Sequence, residues 1–469
     1  MISGSASPPR APDLRWWLLL GAVVALGFVG SWAVASAVLI LVLAQVARPF
    51  DFLTAFLILV GGATFIENAA GGLTTQLGLL TCGIVLMLVC YVLTSGDRTL
   101  RFARTPMTVP LLCFLALSMV NAVRGLLVGH SPRYVSLESL PLLALGTAIL
   151  VANAFHPMRQ LRWAAIGLVV IGLAAAIRGF QVFAISRTHG GGYTVAAPGL
   201  VGLLLVNLAL RSRSTGATVG LILLSVPMFL QQFITFGRGL WSGCIAALVL
   251  SVLIYAGFGR GSGGRWRRTG LILAGLTGLA LAGVLVMARV FEQGDLLGLA
   301  GVRLQSSLGT EVSYETRSNV IRLGEYFFVW KLIQESPWIG HGIGYAFTMK
   351  QVLSLDVGEQ WYAHQNYLFV WLKQGLIGLG LFLWMLYSAI SLGMREARRR
   401  ADPLEASWFA TSAAATVFLA TLSLSNFPFG VVNEMFLLAL LWGGAMAMTR
   451  TGFVLFRWSV PTAREHDGA

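Results

Sequence analysis

Long apolar segments recur along most of the 469-residue chain, and they restrict its possible folds more than any other feature. A helix needs ~20 mostly apolar residues to cross a hydrocarbon core of ~30 Å. Segments of about this length occupy residues 72–94, 107–127, 135–155, 163–184, 193–210, 216–235, 239–257, 270–291, 366–393, 405–424 and 428–449. With 57% hydrophobic residues, 11% charged residues and a mean hydropathy of +0.77, the composition also departs far from that of soluble proteins. The sequence therefore predicts a polytopic membrane protein.

The beginning of the chain adds three further predicted spans. Residues 16–46 are too long for one upright helix, so we divide them into two short spans that separate near Gly30 and Ser31, followed by a span at 50–66. The apolar run from Trp16 is also too long for a signal-peptide core, and we interpret it as an uncleaved span. The prediction is an all-α bundle of fourteen transmembrane helices, or twelve if some segments are re-entrant.

The net charge of +14 is explained by where the basic residues lie, and nucleic-acid binding is not needed to account for it. They cluster in connectors separated by pairs of apolar segments, as expected when basic loops remain in the cytoplasm. The clusters are Arg98, Arg101 and Arg104; Arg159 and Arg162; Arg211 and Arg213; Arg260, Arg265, Arg267 and Arg268; and Arg395, Arg398, Arg399 and Arg400. This pattern predicts that both termini are cytoplasmic and that the polar segment 292–365 lies outside.

Four regions follow from this topology. We predict an N-terminal membrane bundle of about eleven spans at 1–291, a large extracytoplasmic loop with short helices at 292–365, three spans at 366–449 and a cytoplasmic tail at 450–469. Cys82, Cys90, Cys113 and Cys244 fall inside spans without metal-ligand spacing, and no phosphate-binding glycine motif or paired carboxylates suggest a cofactor or metal. We expect neither a metal nor a cofactor.

Residues that could bind an anion fall at the predicted outer ends of the spans. They are Arg187, Arg238, Arg317, Arg322 and His364. Arginine is disfavoured outside by the positive-inside bias, and its planar fork suits bidentate binding of phosphate. Taken singly, each arginine could instead be a helix-end residue whose side chain extends to the headgroups. Together they indicate an outer cavity that could hold a diphosphate.

Two spaced motifs resemble those of bacterial O-antigen ligases and polymerases. His364-Gln365 precedes Gly375 by nine intervening residues and Gly378 by a further two, a pattern similar to that of the ligases. Arg322, followed fifteen residues later by the PWIG run at 337–340, resembles the signature of the wider superfamily. The resemblance is close over about 60 residues and elsewhere covers hydropathy only.

Smaller features extend the resemblance or depart from it. Arg238 in FGRGLWSG is similar to an arginine turn of the same superfamily, whereas His341 stands where the family usually has another residue. We interpret His341 as part of the local structure.

The resemblance implies a metal-independent glycosyltransferase in the bacterial inner membrane with its active site facing the periplasm. It would transfer a glycan from undecaprenyl diphosphate to a hydroxyl of lipid A-core or of a growing glycan. His364 would be the general base and Arg322 and Arg238 the diphosphate clamp, with Arg187 and Arg317 as weaker candidates for the same role.

Alternatives remain open. The His-Gln spacing favours a ligase, but the chain could instead be an O-antigen or exopolysaccharide polymerase, because both use the same donor. A transporter of an anionic substrate is a further possibility. It usually shows two halves related by a repeat, and the long loop has no counterpart in the first half of this chain.

Overall fold

The computed structural model describes residues 57, 99–155, 157–186, 196–235, 237–257, 263–290, 314–348, 359–360, 362–449 and 451–457. In this part of the chain the earlier helices are α1 (Thr108–Leu127), α2 (Pro132–Ala154), α3 (Pro157–Ser186), α4 (Ala197–Arg211), α5 (Thr215–Ile234), α6 (Arg238–Ala256) and α7 (Gly263–Val290). The later ones are α8 (Tyr314–Glu335), α9 (Asn366–Arg399), α10 (Pro403–Leu422) and α11 (Val432–Thr449). The strands are β1 (Thr99–Arg104), β2 (Phe347–Thr348), β3 (Glu359–Gln360) and β4 (Thr451–Arg457).

The helices confirm the predicted all-α polytopic membrane fold. Among the described residues, the segments long and apolar enough to cross a membrane are α1, α2, Gln160–Phe183 of α3, α5, α6, α9 and α11. The apolar helix α4 is shorter, and α7 and α10 overlap the predicted spans 270–291 and 405–424. The predicted spans before residue 99 lie outside the described residues apart from Leu57, so the total of twelve to fourteen spans stays a prediction.

Two short antiparallel ribbons accompany the helices, and the sequence analysis had predicted neither. β1 pairs with β4, with Thr99 opposite Arg457, and so joins the segments just before α1 and just after α11. β2 pairs with β3, with Phe347 opposite Gln360, inside the predicted outer loop. That loop also contains α8, a helix of 22 residues.

One end of the bundle gathers the basic clusters. Arg268 at the start of α7 donates to the carbonyl of Ala209 near the end of α4, at 3.0 Å. Arg400 after α9 donates to Met448 O at the end of α11, at 2.9 Å. Ser407 near the start of α10 donates to Asn207 O of α4, at 3.0 Å. The end of α4, the start of α7, the end of α9 and the start of α10 therefore lie at the same end of the bundle. By the positive-inside bias, this end is predicted to be cytoplasmic.

The opposite end holds the first turns of α9 and α11. The backbone N–H of Asn366 donates to Ser423 O, just past α10, at 3.0 Å, and the backbone N–H of Ala196 donates to Glu434 Oε1 at 3.1 Å. Because the helices alternate in direction, this end also carries the start of α6 and the end of α1. We call it the outer end.

Close helix packing fills the middle of the bundle. Trp408, Phe409, Phe436 and Trp442 of α10 and α11 are fully buried. Gly443 lies so near α2 that an added Cβ would come 2.6 Å from a backbone carbonyl oxygen there. Small residues let helices approach in this way in lipid, where no hydrophobic driving force brings them together. The core therefore fixes how α2, α10 and α11 sit beside the outer end.

Candidate active site

A break inside α9 positions the outer end of this helix. Gly375 has φ 69° and ψ −173°, a conformation essentially restricted to glycine, and it separates two helical stretches. A Cβ on Gly375 would lie 2.1 Å from the carbonyl oxygen of Trp338. The glycine is thus required both by its backbone conformation and by the close approach of a neighbouring segment.

That segment is 336–344, which contains the PWIG run and which we call the glycine loop. The glycine loop forms hydrogen bonds with backbone groups of α9 that have no helical partner because of the break. The bonds are His341 N to Leu372 O at 2.8 Å, Gly342 N to Lys373 O at 2.9 Å, and Leu376 N to Pro337 O at 2.8 Å. The two sequence motifs therefore form one hydrogen-bonded unit, in which Gly340 and Gly375 permit the contact.

The glycine loop also fits against the end of α1. Arg124 Nη1 donates to Ile339 O at 3.0 Å, and His130 Nδ1 lies 3.1 Å from Ile343 O. His341 Nε2 is 2.8 Å from Leu332 O, and its ring stacks on Tyr345 with centroids 4.4 Å apart. These contacts give His341 the local structural role expected of it, and they hold the loop between α1 and α9.

His364 lies two residues before α9 and pairs with Glu325 of α8. Glu325 Oε2 is 2.7 Å from His364 Nδ1, and Glu325 Oε1 accepts the backbone N–H of His364 at 2.8 Å. A carboxylate can only accept, so the Nδ1 proton points at Glu325, and in the neutral imidazole Nε2 is then the acceptor. Glu325 is 2% exposed and the His364 side chain 35% exposed. In this arrangement a buried carboxylate orients a partly exposed imidazole.

Arg322 lies one helical turn before Glu325 and is partly buried. The charges of Arg322 and Glu325 both act on the hydroxyl of Tyr326, the residue after Glu325. Burial raises the pKa of the Tyr326 hydroxyl, the Arg322 guanidinium acts to lower it, and Glu325 acts to raise it. Arg322 therefore lies one turn along α8 from the carboxylate that binds His364.

Arg238 is the first residue of α6 and is partly buried at the same outer end. The next residue, Gly239, packs against the segment after α10, where a Cβ would come 2.4 Å from Ser425 Oγ. The same segment continues to Phe427, whose ring stacks on that of Tyr362, two residues before His364, with centroids 6.1 Å apart. The segment between α10 and α11 thus lies beside the start of α6, which carries Arg238, and beside Tyr362, which precedes His364.

The two weaker arginine candidates lie outside what the structure describes. Arg187 falls in 187–195, outside the described residues. Arg317 belongs to α8, but its side chain lies outside the described part.

A buried ion pair below His364 escaped the sequence analysis. Lys373 Nζ contacts Glu138 Oε1 at 2.5 Å, and both side chains are 1% exposed. Lys373 also donates to Tyr345 O, and Glu138 Oε2 accepts the backbone N–H of Gly344 at 3.0 Å. The pair fastens the end of the glycine loop to α2 and α9. Each partner is the only charged residue of its predicted span, 135–155 for Glu138 and 366–393 for Lys373, which is the signal that could have revealed the pair.

A small cavity of about 30 Å³ adjoins this pair. Its lining includes Lys373, Glu138, Gln374 and Asn366 among phenylalanine rings. Asn366 is 1% exposed, and among the described residues neither its Nδ2 nor its Oδ1 has a hydrogen-bond partner. A space of this size holds one or two water molecules, which would satisfy the carboxamide.

Glu325 is the other residue that the sequence analysis did not single out. Its spacing of three from Arg322 places the two side chains on adjacent positions of a helix, but nothing local pairs it with a histidine 39 residues later.

In the described part of the chain, no three His, Cys, Asp or Glu side chains gather as metal ligands.

Comparison with models of protein families finds no match for this chain, and comparison with curated proteins finds no relative.

Proposed function

We propose that the chain is a glycosyltransferase of the O-antigen ligase type, which moves a glycan from undecaprenyl diphosphate to an acceptor hydroxyl at the outer face of the membrane. The observation that carries the proposal is the Glu325–His364 pair, with its 2.7 Å contact, beside Arg322. A glycan hydroxyl is a poor nucleophile until a base removes its proton, and an oriented neutral imidazole is suited to that task.

In this proposal His364 Nε2 takes the proton of the acceptor hydroxyl. The oxygen attacks the anomeric carbon of the donor sugar as the bond from that carbon to the phosphate oxygen breaks. The bonding electrons leave with undecaprenyl diphosphate, and the proton on His364 passes to solvent. Glu325 holds the imidazole and stabilises the positive charge that forms on it.

The arginines act on the leaving group. Arg322 and Arg238 bind the diphosphate through charge-assisted hydrogen bonds, which can be bidentate and which strengthen as negative charge develops. Arg187 and Arg317 remain weaker candidates for the same clamp. The outer end, opposite to the basic clusters, is where a lipid-linked donor in the outer leaflet would present its phosphates.

The experiment compares donor affinity and transfer rate in the same purified variants. We expect His364→Ala to slow transfer by about 10²-fold or more with donor affinity close to wild type, because general-base assistance contributes about 10²–10⁴-fold. Arg322→Lys keeps a charge but loses the fork, so donor affinity itself should fall. Lys331→Gln, which removes an exposed cation on the same helix, is the matched control and should leave both quantities unchanged.

A loss of donor affinity in proportion to the rate in His364→Ala would make the histidine a phosphate ligand and refute its role as base. Lipid A-core and a lipid-linked repeat unit, offered in parallel as acceptors, separate the ligase from the polymerase. Transport of the donor across vesicles without formation of a glycosidic bond would replace both with a transporter.

The orientation needs its own test. A reporter fused after Arg268 or Arg400 is expected to lie in the cytoplasm, and one inserted within 295–310 is expected to lie outside, because the basic clusters remain inside. A cytoplasmic signal from 295–310 would exclude an outer active site.

A further inference from the structure

An apolar stripe runs along the exposed side of α8. Leu323, Phe327 and Trp330 are 55%, 64% and 41% exposed. Their spacing of four and three residues places them on one face of the helix. A stripe of large apolar side chains left open to water is costly, so it requires a partner.

Apart from Trp330, whose ring meets that of Trp371 of α9 edge-on with centroids 5.3 Å apart, this stripe is not the face that packs on the protein. Among the side chains of α8 that the structure describes, the buried ones are Glu325, Val329 and Ile333, which repeat every four residues on a different side of the helix. Val329 and Ile333 share a core with Leu372 of α9. The helix is therefore apolar on two faces: one forms the core contacts with α9, and the other is largely exposed in the described structure.

Exposed apolar residues also follow the stripe along the chain and on α9. Directly after α8, Trp338 and Ile339 of the glycine loop are 65% and 53% exposed. Ile377 of the membrane-spanning helix α9 donates its backbone N–H to Trp338 O at 3.4 Å and is itself 53% exposed. Exposed apolar residues in the middle of a span contact acyl chains, so the loop and the stripe extend an existing lipid surface.

The glycine loop also contacts α1 and α9 well inside these helices, at some distance from their outer ends. Ile377 follows Asn366, the first residue of α9, by eleven residues, or about 16 Å along a helix. The loop contacts α1 at Asn121, six residues before its end, through a 3.3 Å bond from the backbone N–H of Ile343. Non-helical backbone is tolerated at such depth where protein covers it, as the bonds to α1 and α9 do here.

The geometry points to α8 lying in the interfacial region of the outer leaflet, with Leu323, Phe327 and Trp330 turned toward the acyl chains. The sequence alone had favoured a loop outside the bilayer. Tryptophan at the headgroup level and the neighbouring Lys331, which is exposed, fit this placement. The occupant of the stripe is thus lipid and not a second protein.

This placement would also set the depth of the candidate active site in the membrane, an inference that rests on the proposed function. Because Glu325 projects from another side of the same helix, binding of the stripe to lipid would hold Glu325 and His364 at the boundary where the phosphates of a lipid-linked donor lie. The donor could then react without leaving the leaflet.

Spin labels measure the depth directly. In a variant without native cysteines, reconstituted in nanodiscs, labels are introduced separately through Phe327→Cys and Leu323→Cys. Leu383→Cys, on the exposed side of α9, is the lipid reference, and Glu335→Cys, at the exposed end of α8, is the water reference. Collisions with molecular oxygen, which is enriched in lipid, are compared with those of a water-soluble nickel chelate.

We expect the oxygen-to-chelate ratio at 327 and 323 to approach that at 383 and to exceed that at 335. Chelate access at 327 and 323 equal to that at 335 would place the stripe in water and overturn the inference. Shielding of both labels from oxygen and chelate alike would show that protein covers the stripe, which also overturns it. None of these readings depends on transfer, so they stand apart from a failure of the proposed activity.

Discussion

Glu325→Gln isolates the contribution of a single charge to the candidate active site. The carboxylate accepts two bonds from one residue, the backbone N–H of His364 at 2.8 Å and the ring Nδ1 at 2.7 Å. A carboxamide keeps the shape but has only one acceptor oxygen. If that oxygen stays with the backbone N–H, the amide group faces Nδ1 as a donor and turns the imidazole to the other tautomer, in which Nε2 carries the proton and cannot accept another.

The expected magnitude follows from these two bonds. A hydrogen bond to a charged group contributes about 1.5–3 kcal/mol, and each ~1.4 kcal/mol corresponds to a factor of ten in rate. Loss of the correct tautomer removes general-base assistance as well, which is worth about 10²–10⁴-fold. We therefore expect kcat to fall by about 10²-fold or more, while KM for the donor changes little because the arginines are untouched.

The assay is single-turnover and steady-state transfer from a lipid-linked donor in proteoliposomes, with thermal unfolding recorded on the same preparations. Glu335→Gln, an exposed carboxylate on the same helix, is the control and should behave as wild type. Wild-type kcat in Glu325→Gln, in a variant that unfolds at the normal temperature, would refute the role of Glu325 in orienting His364.

Two further predictions concern stability. Gly375→Ala should destabilise the protein by on the order of 3 kcal/mol, because alanine is strained in this conformation and its Cβ would overlap Trp338 O, whereas Gly380→Ala, with nothing within 4 Å, should be neutral or stabilising. Equal unfolding temperatures for the two variants in detergent would contradict the close contact at the break. Lys373→Met leaves the buried Glu138 charge unpaired and should cost about 3–5 kcal/mol, while the double variant with Glu138→Gln should recover most of it. A double variant that is no more stable than Lys373→Met would show that the pair is not coupled.

The helices were largely predictable because the bilayer imposes a length on each one. The predicted span at 239–257 became α6 at Arg238–Ala256, and the span at 405–424 became α10 at Pro403–Leu422. The latter begins where the Asp402 side chain accepts the backbone N–H of Leu404 at 2.8 Å, a cap that the sequence itself encodes. The ribbon β1–β4 was not predictable in the same way, since its strands come from opposite ends of the described chain.

The candidate site was predicted only in part. The two motifs indicated Arg322 and His364, and the structure brings both to α8 and the start of α9. They did not indicate Glu325, nor the pairing of Glu138 with Lys373 across 235 positions. The motif glycine Gly375 turned out to serve a backbone break and a close approach of chain segments.

The sequence by itself determined the membrane-spanning helices, their alternation in direction and the end at which the basic residues collect, because length, hydropathy and local charge act on each segment separately. Only the tertiary structure decided which carboxylate meets which base and where the glycine loop lies. Such partners depend on the packing of segments that are distant in the chain, and the break at Gly375 exposes backbone groups that only a particular neighbouring loop can satisfy.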